Sequence, residues 1–168
     1  MASVEVQRVH AAEWRELREL RLRALADAPE AFASTLDREA AFGDDVWRQR
    51  AQGRSASANF LARAGGVGVG MAAVVAEPEP GRMQLVGMWV DPDHRRRGVA
   101  RALIGQAVGW SRDHQARELI AWVAEPNAAA RTLYARVGFE PAGARQPLPS
   151  NPAVEELLLR LPLDPAGT

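Results

Sequence analysis

The chain has no cysteine, and it has no lysine either: all 21 of its basic residues are arginine. Without cysteine there is no disulfide, no thiolate nucleophile and no Cys-ligated metal site. Without lysine there is no Schiff base and no lysine-dependent phosphate loop. The three histidines, His10, His94 and His114, are scattered without metal spacing, and no Gly-x-Ser-x-Gly occurs, so no metal is expected. Charge of neither sign is in excess: 21 acidic residues balance the 21 arginines. A general polyanion binder carries a basic surplus, so no nucleic-acid partner is expected. No apolar run approaches the roughly 18 residues of a membrane span. The opening Met-Ala-Ser-Val-Glu-Val-Gln-Arg contains no apolar stretch of signal-peptide length. A cytoplasmic protein with no membrane partner is the expectation.

What is present fits one folded unit. The 168 residues are 47% hydrophobic and 25% charged, close to the globular average. A single domain over residues 1–163 is expected, with a loose tail at 164–168. Val4, Val6 and Val9 begin a strand, and residues 12–26 read as a helix with Trp14, Leu17, Leu22 and Leu25 on its apolar side. Residues 30–52 read as a broken helical region, with Asp44 as N-cap of its last piece. Strands at 59–64 and 67–76 flank Gly65-Gly66, a hairpin signal, and a third strand runs over 83–90. Helix and strand then alternate: helix 98–114, strand 119–123, helix 127–137, strands 139–142 and 155–161. The Pro-rich stretch 146–152 reads as a loop between the last two strands. This order predicts an α/β (α+β) sheet in one layered domain.

Two segments carry chemistry. In the first, a strand ends at Asp91-Pro92, and Arg95-Arg96-Arg97-Gly98-Val99-Ala100 leads into a helix. A helix N-terminus offers unpaired N–H groups and partial positive charge, and Gly98 and Ala100 keep the main chain approachable. That is a cradle for a pyrophosphate. The alternative is a solvated basic turn. In the second segment, Asn127-Ala128-Ala129-Ala130-Arg131-Thr132-Leu133-Tyr134-Ala135-Arg136-Val137-Gly138-Phe139, an N-cap and a closing Gly bracket a helix. Ala130, Tyr134 and Val137 share one of its faces.

Together the two segments resemble the GNAT superfamily of acetyl-CoA-dependent N-acetyltransferases: Arg/Gln-x-x-Gly-x-Gly/Ala, then Asn-x-x-Ala-x-x-Leu-Tyr-x-x-x-Gly-Phe. The resemblance implies a mixed, mostly antiparallel sheet splayed at an acyl-CoA cleft, with helices on both faces. It implies that the backbone of Arg95, Arg96, Arg97, Gly98, Val99 and Ala100 holds the pyrophosphate of acetyl-CoA. Asn127 and Ala130 would line the pantetheine arm, although Asn127 also reads simply as a cap. An N–H from Met88, Trp89 or Val90, on a strand bulged at Gly87, would polarise the thioester carbonyl. Tyr134, the only tyrosine, would protonate the departing thiolate, or else serve as a core aromatic. A phenol stays protonated at neutral pH and so has a proton to give.

The acceptor implied is the primary amine of a small molecule, reacting directly in a ternary complex; the alternatives are a protein N-terminus or lysine side chain as acceptor, or a non-catalytic acyl-CoA-binding sensor module, and a homodimer is compatible with the family. Relatives often place a Glu on the bulged strand, where this chain has Gln84, so Glu39 and Glu125 are the candidate bases, with water as the alternative. Phe32, Thr35 and Glu39 are candidates for the acceptor pocket. Six acids between residues 27 and 46, against Arg38 alone, either attract a cationic amine or form a solvated face.

Overall fold

Residues 2–54 and 56–164 are described in a computed structural model; of the expected tail, all but Asp164 lies outside them. Alternating apolar residues build seven strands: β1 Val4–Arg8, β2 Ser57–Ala64, β3 Val67–Ala76, β4 Arg82–Val90, β5 Glu118–Ala124, β6 Glu140–Leu148 and β7 Asn151–Pro162. They form one sheet in the order β1-β2-β3-β4-β5-β7-β6, with β4–β5 the only parallel pair. The helices are α1 Trp14–Asp27, α2 Leu36–Ala40, α3 Asp44–Gln52, α4 Val99–Asp113 and α5 Ala128–Val137. None is long and apolar enough to cross a membrane.

Period-2 alternation in the strands gives each face of the sheet its own core. On one face Val99, Leu103, Ile104 and Ala107 of α4, with Tyr134 of α5, pack on Phe60, Ala72, Val74 and Val123. On the other, Leu17, Leu20 and Leu25 of α1 and Trp47 of α3 cover Leu61, Met71 and Trp89. The mixed, mostly antiparallel α/β sheet with helices on both faces is the architecture that the sequence predicts.

Two features of the sheet shape the cleft. The first is a splay: β4 and β5 pair only at Arg82↔Glu118, Met83↔Leu119 and Gln84↔Ile120. Past that point, residues 85–90 have no partner on the β5 side, and the strands part toward their C-terminal ends. The second is a bulge. Met71 pairs with Trp89 and Ala73 with Val86, so Gly87 and Met88 together face Ala72. Gly87 takes φ +62°, a left-handed conformation that costs glycine little.

Two local expectations change. Gly43, not Asp44, is the N-cap of α3, and Asp44 lies in the first turn, where its charge still suits the helix dipole. The Pro-rich stretch is not a loop but the end of a hairpin: β6 runs to Leu148, β7 starts at Asn151, and those two residues pair. Proline is tolerated there because β6 is the sheet edge, where a missing N–H costs no ladder bond, and Pro152 sits at the start of its strand.

Candidate active site

The turn from β4 to α4 has features that suit an anion. Asp91 starts it: its carboxylate accepts from the N–H of Asp93 at 3.0 Å and pairs with Arg23. Arg96 (φ +61°) and Gly98 (φ +81°) are both left-handed, which curls the main chain into a concavity. The N–H groups of Arg96, Arg97, Gly98, Val99 and Ala100 find no acceptor among the described residues. A Cβ placed on Gly98 would meet no protein atom within 4 Å, so the space in front of it is open. Arg96 and Arg97 of the turn and Arg101 of α4 have no carboxylate partner among the described residues. The groups present therefore fit a diphosphate.

Arg95 differs from its neighbours. Its side chain donates to the Val90 carbonyl at 2.9 Å and to the Asp27 carboxylate at 2.6 Å, so it braces the turn. Asp27, the last residue of α1, also accepts from the Trp89 indole at 2.9 Å. The Trp89 bond, aided by Arg95 and opposed by burial, holds the Asp27 carboxyl below its ordinary range. One carboxylate thus ties α1, β4 and the anion turn together.

Tyr134 and Asn127 flank the splay from α5. The Tyr134 ring is buried, edge-on to Phe139 at 5.1 Å. Among the described residues its hydroxyl has no hydrogen-bond partner. Burial pushes its pKa well above that of a free phenol, which keeps the proton on oxygen. Asn127 caps α5, its Oδ1 accepting from the Ala130 N–H at 3.1 Å, and this leaves its amide nitrogen free. Met88 is half-buried, while Trp89 and Val90 are buried.

Neither carboxylate expected as a base is free. Glu39 is 1% exposed and is gripped by Arg21 (3.0 and 2.9 Å) and Arg50 (3.0 Å). Burial alone pushes its carboxyl up, and the two guanidiniums more than reverse that, leaving it below the ordinary value. A carboxylate so held is a weak proton acceptor. Its geometry serves instead to aim Arg21, which stacks over Phe32 at 4.8 Å and whose Nη1 stands 3.2 Å from where a Cβ on Gly87 would be. Glu125, at the end of β5, shares Arg145 with Glu155 at 3.3 and 2.9 Å. Thr35 caps α2 and is exposed; Phe32 is buried, and its carbonyl accepts from Ser150 Oγ, at the tip of the β6–β7 hairpin, at 2.5 Å. The acidic run is in part spent internally, since Asp27 and Glu39 are both bound by arginine.

One buried acid escapes the sequence reading. Glu156 of β7 is 6% exposed, and among the described residues only the Gln146 amide, at 2.8 Å, bonds to it. Adjacent Glu155-Glu156 looks like a solvated pair. The Leu157, Leu159, Leu161 alternation puts Glu156 with Leu158 and Arg160 on the opposite face, and Leu158 is the one hint that this face is covered.

A family model described as the acetyltransferase (GNAT) family matches residues 13–139. Human N-acetyltransferase 8 is 36% identical over 62 residues, 37% of this chain and 27% of that protein, so the similarity spans about a quarter of that relative's length. A solved GNAT-family acetyltransferase from Streptococcus pneumoniae superposes with TM-score 0.80 at 16% identity, covering 96% of this chain and all (100%) of that one. Nourseothricin acetyltransferase superposes with TM-score 0.61 at 28% identity, over 66% of this chain and 67% of its own.

Proposed function

Because the chain belongs to the acetyltransferase (GNAT) family, we propose that it moves an acetyl group from acetyl-CoA directly onto the primary amine of a small molecule, in the cytoplasm. The observation that carries this reading is an anion nest of unpaired amides placed at the C-terminal mouth of the β4–β5 splay. When bound there, acetyl-CoA supplies an activated thioester carbonyl and a thiol leaving group. The amides from Arg96 to Ala100 grip the diphosphate, and the unpaired edge of β4 lines the opening for the arm. Tyr134 holds a proton at its Oη for the sulfur, and Asn127 presents its free amide nitrogen at the start of α5.

A small acceptor is supported by the cover over the far side of the splay. The 3₁₀ turn Pro29–Ala31 packs against β5. Next to it, the Phe32 carbonyl is bonded by the β6–β7 hairpin tip. That bond draws the hairpin tip onto this segment, which favours a small acceptor over a long peptide. The similarity to an acetyltransferase named for nourseothricin favours the same reading.

The test is calorimetric titration with coenzyme A and acetyl-CoA. The wild type should bind both, and Gly98→Val should weaken binding at least about tenfold, or 1.4 kcal/mol. Valine at φ +81° is strained and fills the cradle. Equal affinities would remove the nest from the reading.

A further inference from the structure

We propose that Glu156 receives the acceptor amine: it binds the incoming ammonium and takes its proton. This rests on the acetyl-transfer reading above and supplies the base that neither Glu39 nor Glu125 is free to be. Three side chains are buried and polar or charged among the described residues: Glu39, Ser111 and Glu156. Glu39 is neutralised by two arginines, and the Ser111 hydroxyl donates to the Ala107 carbonyl at 2.8 Å. Glu156 alone has no counter-charge among the described residues. Buried charges are ordinarily paired, so a cation is the partner this carboxylate lacks.

Its position suits the role. Glu156 pairs in register with Ala124, the last residue of β5, at the wide end of the splay. It is one strand, about 4.8 Å, in from the opening. It lies on the face of the sheet that carries α1, because Ile120, Trp122 and Ala124 of β5 alternate with the core-facing Leu119, Ala121 and Val123. Tyr134 packs on the opposite face, so the two groups approach the splay from its two sides.

Gln146 holds one carboxylate oxygen. The other has no donor among the described residues, and the side chain keeps 6% exposure. Among the described residues no arginine of the neighbouring strands pairs with it. Arg160, on the same face of β7, is taken by Glu140 and Glu118. Arg145 of β6 is taken by Glu125 and Glu155, and β5 offers Ala124, Trp122 and Ile120 on that face, with Glu118 at its far end held by Arg82 and Arg160.

The step balances. One N–H proton passes from the ammonium to Glu156. The freed nitrogen lone pair forms the C–N bond to the acetyl carbon as the C–S bond breaks, and the sulfur takes the Tyr134 proton. The second N–H proton, lost as the amide forms, returns to the Tyr134 oxygen through water, and Glu156 releases its own to solvent. The implied substrate class is a compact cationic amine.

Ethylamine at saturating concentration is the probe, since it carries the reacting ammonium and little else. Wild type, Glu156→Gln and Glu156→Asp are compared by acetyl-CoA calorimetry and by acceptor-dependent thiol release across pH. Acetyl-CoA affinity should agree within about twofold, since Glu156 does not face the nest. At pH 7 Glu156→Gln should transfer about a hundredfold more slowly, with Glu156→Asp between. The gap should narrow as pH rises toward the amine's own pKa, about 10. Unchanged acetyl-CoA binding with equal transfer rates and equal pH profiles, including no transfer by any of the three, overturns the role of Glu156. Failure of the wild type to bind acetyl-CoA instead overturns the acetyl-transfer reading, and this assignment with it.

Discussion

Tyr134→Phe is expected to leave acetyl-CoA affinity within about threefold of wild type and to slow acetyl transfer by roughly 10²–10⁴-fold, the usual worth of a placed general acid. In free energy that is about 2.7–5.4 kcal/mol of barrier. The substitution is close to a pure deletion of one proton donor. The ring keeps its edge-on contact with Phe139, and the hydroxyl has no partner among the described residues to orphan, so the melting temperature should not fall. The pH dependence has a definite sign. Burial raises the phenol's pKa, so the acid form persists at neutral and mildly alkaline pH, and Tyr134 should impose no alkaline loss in that range. Thiol-release kinetics and calorimetry on the two proteins are sufficient. A mutant with full turnover would mean that the sulfur leaves without this acid.

The sheet was legible because its signals are local. Alternation marks β2 to β5, Gly87 flags the bulge inside an otherwise apolar strand, and Asn127 and Gly138 bracket α5 by capping chemistry. The anion turn reads from sequence for the same reason, since a glycine at a helix start is a backbone property. The β6–β7 hairpin did not read. Five prolines in the last two strands and their turn imitate a loop, and only the edge position of β6 makes Pro141 and Pro147 compatible with pairing. The acids did not read either, because their state depends on partners far along the chain. Glu39 meets Arg21 from 18 residues away, and Asp27 meets Trp89 from 62. Glu156 is buried on a face that polar alternation alone would assign to solvent.

Glu39→Ala is expected to cost about 3 kcal/mol of stability, and to cost it structurally, not catalytically. Breaking a buried ion pair from one side leaves the other charge uncompensated, which typically costs 3–5 kcal/mol. The lower end applies because the guanidiniums left behind are 16% (Arg21) and 38% (Arg50) exposed and can recover some hydration. For a chain of 168 residues this is a fall of roughly 6–12 °C in melting temperature. The pH dependence follows from the lowered pKa of Glu39. The pair's contribution is complete above the unfolded value near 4.3 and is lost as pH falls through the lower folded value. Wild type should therefore lose stability in acid more steeply than the mutant, as urea titrations at descending pH would register. Kinetics separate the two possible roles of this carboxylate. If Glu39 only aims Arg21 beside Gly87, the mutant assayed below its melting temperature should bind the acceptor less well, with kcat within about tenfold of wild type. A loss of kcat as large as that of Tyr134→Phe, with the melting temperature unchanged, would return Glu39 to the role of base and leave the two arginines without their structural purpose.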